Sequence, residues 1–442
     1  MTLVRNRLPQ LNGNRRFLFR IFRNVFLFLS GTQEGYAVSN FQFRIYFLCA
    51  LFLAACSPKV RTVPVPVNKP AEQKPAPVEK PVPVKPAAAK VSVISLLLPF
   101  GLDHIGPGNS YTDISLKKAR IAADYYRGFK SALDSLTFYG YNYKLQLFDS
   151  KDDATTAHGL AYNPKVRTSD LIVGPVFPDD LKAFTDVLVG ARKPIVSPLS
   201  PEPAATFHNQ NLITVNPPLE YHAWCAAQYI ASRMKPQKIF VLRSGYSEEN
   251  DYLVPFDRAI DSLGNRHIKI ITITIMHGQL QPIMAQLTKG KDNVFVVVST
   301  DQAFLTVTLN SLEKLAAKYP ITLFGHPSWQ HYSFLTPQRL QILKTHITSA
   351  DNVDYKSAET ITFIRNYRNT WHTEPSAYAV KGFDEGLYFG QLLGSDNLKN
   401  MGKTDFKGLH NDFVFQKKAG LGWINTHVNL LLYTNFELKK VE

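Results

Sequence analysis

Residues 92–442 predict an α/β fold of two parallel-sheet lobes, and three observations carry the expectation. Short apolar runs alternate with helical or polar stretches, the pattern of repeated strand–helix–strand units whose sheets are covered on both faces. The first run, VSVISLLLPF, is apolar and closed by Pro99, as a strand buried on both faces of a parallel sheet would be. Size is the third: about 350 residues exceed what one hydrophobic core serves, so two sheets are expected.

The elements follow in order. After the first strand and a loop, SLKKARIAADYYRGFKSALDSL places Ala122, Tyr126, Phe129, Leu133 and Leu136 at steps of three and four, which predicts an amphipathic helix. Strand runs then appear at YKLQLFD (143–149), DLIVGPV (170–176), KPIVSP (193–198) and NLITV (211–215). A second set comprises KIFVLR (238–243), IKIITITI (268–275), NVFVVVST (293–300) and ITLFG (321–325). No internal repeat is clear enough to argue from.

The region before residue 92 has a different character. An apolar block from Ile45 to Ala55, preceded by Arg44, is about half the roughly 20 residues a spanning helix needs. A positive charge, a short apolar stretch and small residues at its end are instead the layout of a secretory leader. Leu53-Ala54-Ala55-Cys56 resembles the bacterial lipobox at all four positions. The resemblance implies cleavage before Cys56, a diacylglycerol on its thiol and acylation of its new amino group. Such leaders are much shorter than 55 residues, so the stretch before Phe41 is what an over-extended start would leave. The earlier run FLFRIFRNVFLFLS is interrupted by Arg20 and Arg23 and is not a second span.

Behind the cysteine, nine prolines fall between Pro58 and Pro86. Proline fixes φ and removes backbone donors, so residues 56–91 are expected to form an extended spacer reaching on the order of 100 Å from the lipid site. Such a tract could also dock in an aromatic groove of a partner.

Charge partitions accordingly. The formal net charge is +15; residues 1–55 carry seven Arg against one acid, and residues 57–91 carry seven Lys and Arg against two Glu. The body therefore keeps only about +4, which argues against a nucleic-acid partner and places the basic tether near anionic headgroups. Of three cysteines, Cys49 is in the leader and Cys56 is the lipid site, leaving Cys225 alone in WCAAQYI. The mature chain can form no internal disulfide, and Cys225 reads as an inert buried thiol.

The ordered segments ISLLLPF, AADYYRGFKSALDSL, LQLFDSKDD, DLIVGPVFPDDLKAF, KPIVSPLSP and NLITVNPPLEYHAWCAAQYI resemble the first lobe of type I periplasmic binding proteins, the branched-chain amino-acid receptor group. QKIFVLRSGYSEEND, DNVFVVVSTDQA, ITLFGHPSW, FIRNYRNTWHTEPSAYAVKGFDEGLYFGQLL and DFKGLHNDFVF continue the likeness across nearly all of 92–442. LLLPF with IVGPV is also similar to the C-terminal domain of outer-membrane lipoprotein activators of penicillin-binding proteins. The resemblance implies two Rossmann-like lobes joined by three crossings and closing on a small ligand. Lobe one is expected at about 92–215 and 350–395, and lobe two at about 217–347 and 396–442.

Ligand candidates follow from where strands end, since open α/β sheets bind ligands beyond the carboxyl ends of their strands. Gly174 and Pro175 end one strand, where a glycine lets backbone N–H groups approach a ligand and a turn glycine is the alternative. Ser197 and Ser200 end another, where hydroxyls bind a ligand or cap a helix. Leu199 and Pro201 depart from the small residues and Thr that the resembled receptors carry in this loop. In the second lobe Tyr246 matches an aromatic position of the family. Trp329 falls where those receptors place an acid that pairs with a ligand ammonium, so two expectations stand side by side: an aromatic pocket suited to a sugar or a peptide fragment, or an empty one with Tyr246 and Trp329 as structural aromatics.

Catalytic patterns are thin: there is no Gly-x-Ser-x-Gly, His-Glu-x-x-His or Walker loop. Ser115 to Lys118 and Ser311 to Lys314 read as solvated helix faces, and His326 and His331 have poor ligand spacing. No enzyme, metal or cofactor is expected. Two functions remain. One is a lipid-anchored solute receptor serving an ABC importer permease; the other is an envelope lipoprotein acting on a peptidoglycan-synthesis or other partner protein. Ser57, in place of the Asp of enteric inner-membrane retention signals, favours the outer membrane.

Overall fold

The structure, a computed structural model, describes residues 90–106, 108–264 and 267–441. The predicted leader, the lipid site Cys56 and the proline-rich tract up to residue 89 lie outside the described residues.

Two seven-stranded sheets form, each wrapped by helices around its own cores. The first takes β1 (Val91–Leu98), β2 (Asn142–Asp149), β3 (Leu171–Val173), β4 (Ile195–Ser197) and β5 (Leu212–Thr214). The second takes β6 (Lys238–Arg243), β7 (Lys269–Thr274), β8 (Asn293–Val297), β9 (Ile321–Gly325) and β10 (His346–Ser349). Late in the chain come the ribbon β11 (Phe406–Lys407) with β12 (Asp412–Phe413), then β13 (Phe415–Lys418), β14 (Gly422–Asn425), β15 (Asn429–Thr434) and β16 (Glu437–Lys440). The sheet orders are β13-β14-β5-β4-β3-β1-β2 and β16-β15-β10-β9-β8-β6-β7. The first five strands of each lobe thus repeat one parallel arrangement, and each sheet is completed by an antiparallel edge.

That edge corrects the expected lobe boundary. The sequence places residues 396–442 in lobe two, yet β14 pairs in parallel with β5 through Trp423 and Ile424, so 415–425 complete the first sheet. Only β15 and β16 join the second. Short strands of mixed polarity carry no signal of which sheet they extend; pairing partners decide it.

The principal helices are α1 (Asp113–Thr137), α2 (Ala154–Leu160), α3 (Pro178–Val187), α4 (Leu219–Tyr229), α5 (Asn250–Leu263), α6 (Gln302–Ala316), α7 (Pro337–Ile342), α8 (Ala358–Trp371) and α9 (Ala377–Gly394). None of the helices among the described residues is long and apolar enough to cross a membrane. α1 opens where the Thr112 hydroxyl accepts the Ser115 N–H at 3.1 Å, satisfying one of the free donors of its first turn. Its buried stripe is Ala122, Tyr125, Phe129, Leu133 and Leu136, with Tyr126 at the margin rather than inside.

α9 lies unusually close to α1. Gly382, Gly386, Gly390 and Gly394 recur every four residues, so one face of α9 carries no side chain at all. A methyl group on Gly386 would stand 2.8 Å from the Phe129 carbonyl oxygen and 2.7 Å from Ala132 Cβ, and one on Gly382 would strike the Tyr125 carbonyl. Glycine is the only residue that permits this spacing. The close approach also brings buried Glu385 to Tyr125, whose hydroxyl donates to Glu385 Oε2 at 2.8 Å. Burial pushes this carboxyl well above its usual range, so it sits neutral in the core.

Gly386→Ala is therefore expected to destabilise the protein by roughly 1–3 kcal/mol through overpacking. Gly159→Ala in α2, where an added methyl meets open space, is expected to stabilise by up to about 1 kcal/mol. Urea unfolding of the two variants checks the opposite signs.

Candidate ligand-binding cleft

The connections decide where a site can lie. β5 ends at Thr214 and the chain passes through Asn216, Pro217 and Pro218 into α4 of the second lobe. β10 ends at Ser349 and the chain returns through residues 350–357 to α8. β14 ends at Asn425, runs parallel to β5, and the chain crosses again to β15, whose Asn429 stands opposite Ser349. All three crossings therefore link the carboxyl ends of one sheet to the carboxyl ends of the other. Two strand-end crests meet around one hinge region, the place where open α/β sheets and hinged lobes bind ligands.

Polar side chains tie the crossings together. Asn425 Nδ2 donates to the Val215 carbonyl at 3.1 Å, joining the first crossing to the third. The Asn352 N–H donates to the His410 carbonyl at 2.7 Å, and Lys381 on α9 pairs with Asp351 at 2.9 Å, so the second crossing is held against the first lobe. On the second lobe His222 of α4 meets the Thr348 hydroxyl of β10 at 3.0 Å. Burial lowers the His222 and His326 pKa values to about 4, with the His326 imidazole also disfavouring charge on His222, so both are neutral.

The first-lobe crest is acidic. β1 lies between β2 and β3, so the loops after these strands flank the sheet's switch point. Asp149 accepts from Gly101 N–H at 3.0 Å and Leu102 N–H at 2.7 Å, pinning the loop after β1. Asp153 caps α2 by accepting the Thr156 N–H at 2.7 Å. Asp179 and Asp180 occupy the first turn of α3. Asp180 is 3% exposed and its Oδ2 has no hydrogen-bond partner; the same holds for the fully buried Ser150 hydroxyl. Burial first, and then the charges of Asp152, Asp153 and Asp179, raise the Asp180 pKa to about 7, with Lys118 opposing. Lys118 of α1 forms an ion pair with Asp152, and its ammonium lies 5.0 Å from the centre of the Phe177 ring.

At the second-lobe crest Arg243 ends β6 and is already committed. It contacts buried Glu249 at 3.3 Å and donates to Asn250 Oδ1 at 2.8 Å, while Glu249 Oε1 accepts from the Ser244 N–H at 2.9 Å. Asp301 caps α6 by accepting the Phe304 N–H at 2.6 Å.

The predicted site residues divide. Tyr246 follows β6 on the crest and is 60% exposed, free to cover a ligand. Trp329 is not a cleft residue: it is 1% exposed, packs in the core of the second sheet, and its Nε1 donates to the Ser299 carbonyl at 2.9 Å. A 3-10 turn at Pro327–His331 folds the indole back over Gly325 instead of outward. Gly174 and Pro175 lie on the first crest but are buried. Gly174 has φ +94°, and a side chain there would strike the Leu97 carbonyl, so close strand packing explains the glycine. Ser200 accepts the Glu202 N–H at 3.3 Å in a local turn. Ser197 is fully buried with an unpartnered hydroxyl, beside the unpartnered Thr214 hydroxyl of the adjacent strand. The residues missed from sequence are Lys118, Ser150 and Asp180; the signal was present in the acids that directly follow strands in DSKDD and FPDD.

Cys225 is partly buried, its thiol pushed up to about 11 by burial, and its Sγ donates weakly to the Val428 carbonyl at 3.6 Å. It is a packed thiol, not a nucleophile.

Two hinged parallel-sheet lobes joined by three crossings define the type I periplasmic binding protein fold. Solved structures share it: an ABC transporter substrate-binding protein from Desulfitobacterium hafniense in complex with Leu is similar at 16% identity and TM-score 0.53, over 80% of this chain and 100% of that one. A putative branched-chain amino acid ABC transporter protein from Rhodospirillum rubrum is similar at 12% identity and TM-score 0.57, over 80% and 100%. The C-domain of LpoA from Haemophilus influenzae, a regulator of PBP1A, is similar at 12% identity and TM-score 0.52, over 79% and 100%. No protein-family model matches the sequence, and no curated protein does.

Asp180 gives a stability test. Below about pH 4 its carboxyl is protonated in both the folded and the unfolded chain. Up to about pH 7 only the unfolded chain has lost the proton, so stability falls as pH rises through this window and the penalty is constant above it. The groups that set the window are Asp152 and Asp153 before α2, Asp179 on α3 and Lys118 on α1. The gain of Asp180→Asn over the parent is expected to be near zero at about pH 4 and to reach roughly 4 kcal/mol above about pH 7. Urea unfolding across this range measures it.

Proposed function

We propose that the protein is an extracytoplasmic binding protein, not an enzyme, which captures a small ligand between its two lobes and is held to the envelope by a lipid on Cys56. The observation that carries this reading is the geometry of the three crossings, which gather both strand-end crests around one hinge. The neutral His222 and His326 and the exposed Tyr246 supply a polar floor and an aromatic cover for such a ligand. In this reading the stiff tract to residue 91 holds the body away from the membrane, the outer membrane being favoured by Ser57, and an ABC importer permease is the receiving partner.

A second reading has its own support. Leu102, Ile105 and Ile114, in and just after the loop that follows β1, are 55%, 67% and 70% exposed, an apolar rim suited to a protein surface. On it the same body regulates a peptidoglycan-synthesis enzyme, as the LpoA C-domain is described as doing for PBP1A.

Thermal-shift screening of the full chain with amino acids, sugars and muropeptides separates the two. A ligand that raises the melting temperature supports capture; a flat response to all three classes moves the assignment to the partner protein. Tyr246→Ala is expected to weaken the responding ligand about tenfold while changing unfolding free energy by less than about 0.5 kcal/mol, because the residue is exposed and outside the cores.

A further inference from the structure

We propose that the first-lobe crest is an ammonium site, so that the cleft takes a ligand bearing an organic amine near Asp180 and not the carboxylate of a free amino acid. The inference deepens the small-ligand reading and rests on it. Three observations converge. First, the helix N-termini that could receive a carboxylate already carry the chain's own acids: Asp179 and Asp180 at α3, Asp153 at α2 and Asp301 at α6. A second anion meets N–H groups already capped by Asp153 at α2 and by Asp301 at α6, and at α3, which has no side-chain cap, it meets the like charge of the acids in the first turn.

Second, the crest bases are spent. Arg243 is locked to Glu249 and Asn250, and Lys118 to Asp152. Third, Asp180 Oδ2 and the Ser150 hydroxyl are buried without partners, on two elements that flank the switch point; Asp152 and Asp153 lie close enough to act on the Asp180 carboxyl. An unsatisfied buried acceptor is costly, and a donor cation is what would satisfy it.

The chain shows the mode of recognition itself. The Lys118 ammonium sits against the Asp152 carboxylate and over the Phe177 ring, the acid-and-aromatic surroundings that suit an alkylammonium. Lys118 is about one-third exposed and so can swing out, leaving its place and the Asp180 oxygen to an incoming amine. No group of three or more His, Cys, Asp or Glu among the described residues is placed to hold a metal ion, which favours an organic cation over an inorganic one.

The test is calorimetric titration and thermal shift of the full chain with putrescine, leucine and glucose. Putrescine is expected to bind and leucine not to. Lys118→Ala, which vacates the amine position, is expected to bind putrescine about tenfold more tightly, and Asp180→Asn to lose about tenfold or more. Asn keeps the shape of Asp, and the comparison of putrescine with leucine on the parent chain needs no variant. Leucine or glucose binding without putrescine overturns this inference and leaves the small-ligand reading standing. Putrescine binding that Asp180→Asn leaves unchanged also overturns it. Silence from all three, and from the wider screen, removes both.

Discussion

The arrangement depends on one buried asparagine and the chain that surrounds it. Asn425 is fully buried; its Nδ2 donates to the carbonyls of Val215 and Asp412 at 3.1 and 3.3 Å, and its Oδ1 accepts the N–H groups of Val414 and His427 at 2.9 and 3.2 Å. One side chain thereby satisfies backbone from the first crossing, the third crossing and the segment that closes the first sheet. Asn411 continues the network, its Oδ1 accepting from His427 Nδ1 at 2.8 Å and from Asn429 Nδ2 at 3.0 Å. Asp384 on α9 accepts the His410 N–H at 2.8 Å, and the His410 carbonyl in turn receives Asn352 of the second crossing. The region 408–429 is the hub at which all three crossings are registered. Apolar packing could hold these segments together equally well, but it would not fix their order, because it is indifferent to direction; a satisfied polar network is not.

With the crests fixed around a hinge, the chemistry of the cleft is a matter of what each strand end carries. The first lobe ends its strands in acids and small hydroxyls, the second in a bound arginine and neutral imidazoles. Each lobe caps a helix that follows one of its strands with an acid, Asp153 at α2 and Asp301 at α6. This local solution stabilises the helix starts and at the same time withdraws their N–H groups from any anionic ligand. The solved structures that share the fold include one bound to leucine, and they share it at an identity that fixes architecture alone.

Much of the architecture was legible because it rests on long, locally consistent signals. The run before Pro99, the stripe of α1 and the parallel strand series each state their burial in period and composition. What escaped depends on distant partners. Phe415–Lys418 and Gly422–Asn425 were placed in the wrong lobe because their sheet is chosen by pairing with β5, about two hundred residues earlier in the chain. Trp329 follows a strand and was read as a cleft aromatic, but a short 3-10 turn carries it inward, and turn geometry of that kind is not written in the residue type. For Gly174 the sequence leaves ligand approach and a turn glycine side by side, and the Leu97 carbonyl packed against it accounts for the glycine without a ligand. The fourfold glycine spacing of α9 was visible in KGFDEGLYFGQLLG yet has meaning only once α1 is known to lie against it. Asp180 shows the same limit: two acids in a first helical turn look like ordinary capping, and only the fold reveals that one has been buried without a partner.

The charge arrangement has a consequence for motion. Arg243 and Lys118 on the crests, and Lys381 at the hinge, are each paired within the molecule, and His222 and His326 are neutral. The paired arginine and neutral imidazoles of the second crest offer the acidic first crest little to attract it across a water-filled gap, so long-range fields do not draw the lobes shut. The apolar rim and the polar floor contribute only over contact distances. Closure must then be driven by what sits between the lobes, and its completeness is set by how much better that occupant binds the closed form; carrying the population from 1:99 to 99:1 takes a preference of about 10⁴-fold. Of the groups on the first crest, the Asp180 oxygen gains most from a cationic occupant, because it is a carboxylate acceptor that begins unsatisfied, with the unpartnered Ser150 hydroxyl buried on a neighbouring element. A ligand that reaches them gains in the bound form what it could not gain in water, and that difference, not the total number of contacts, is what can hold two lobes shut.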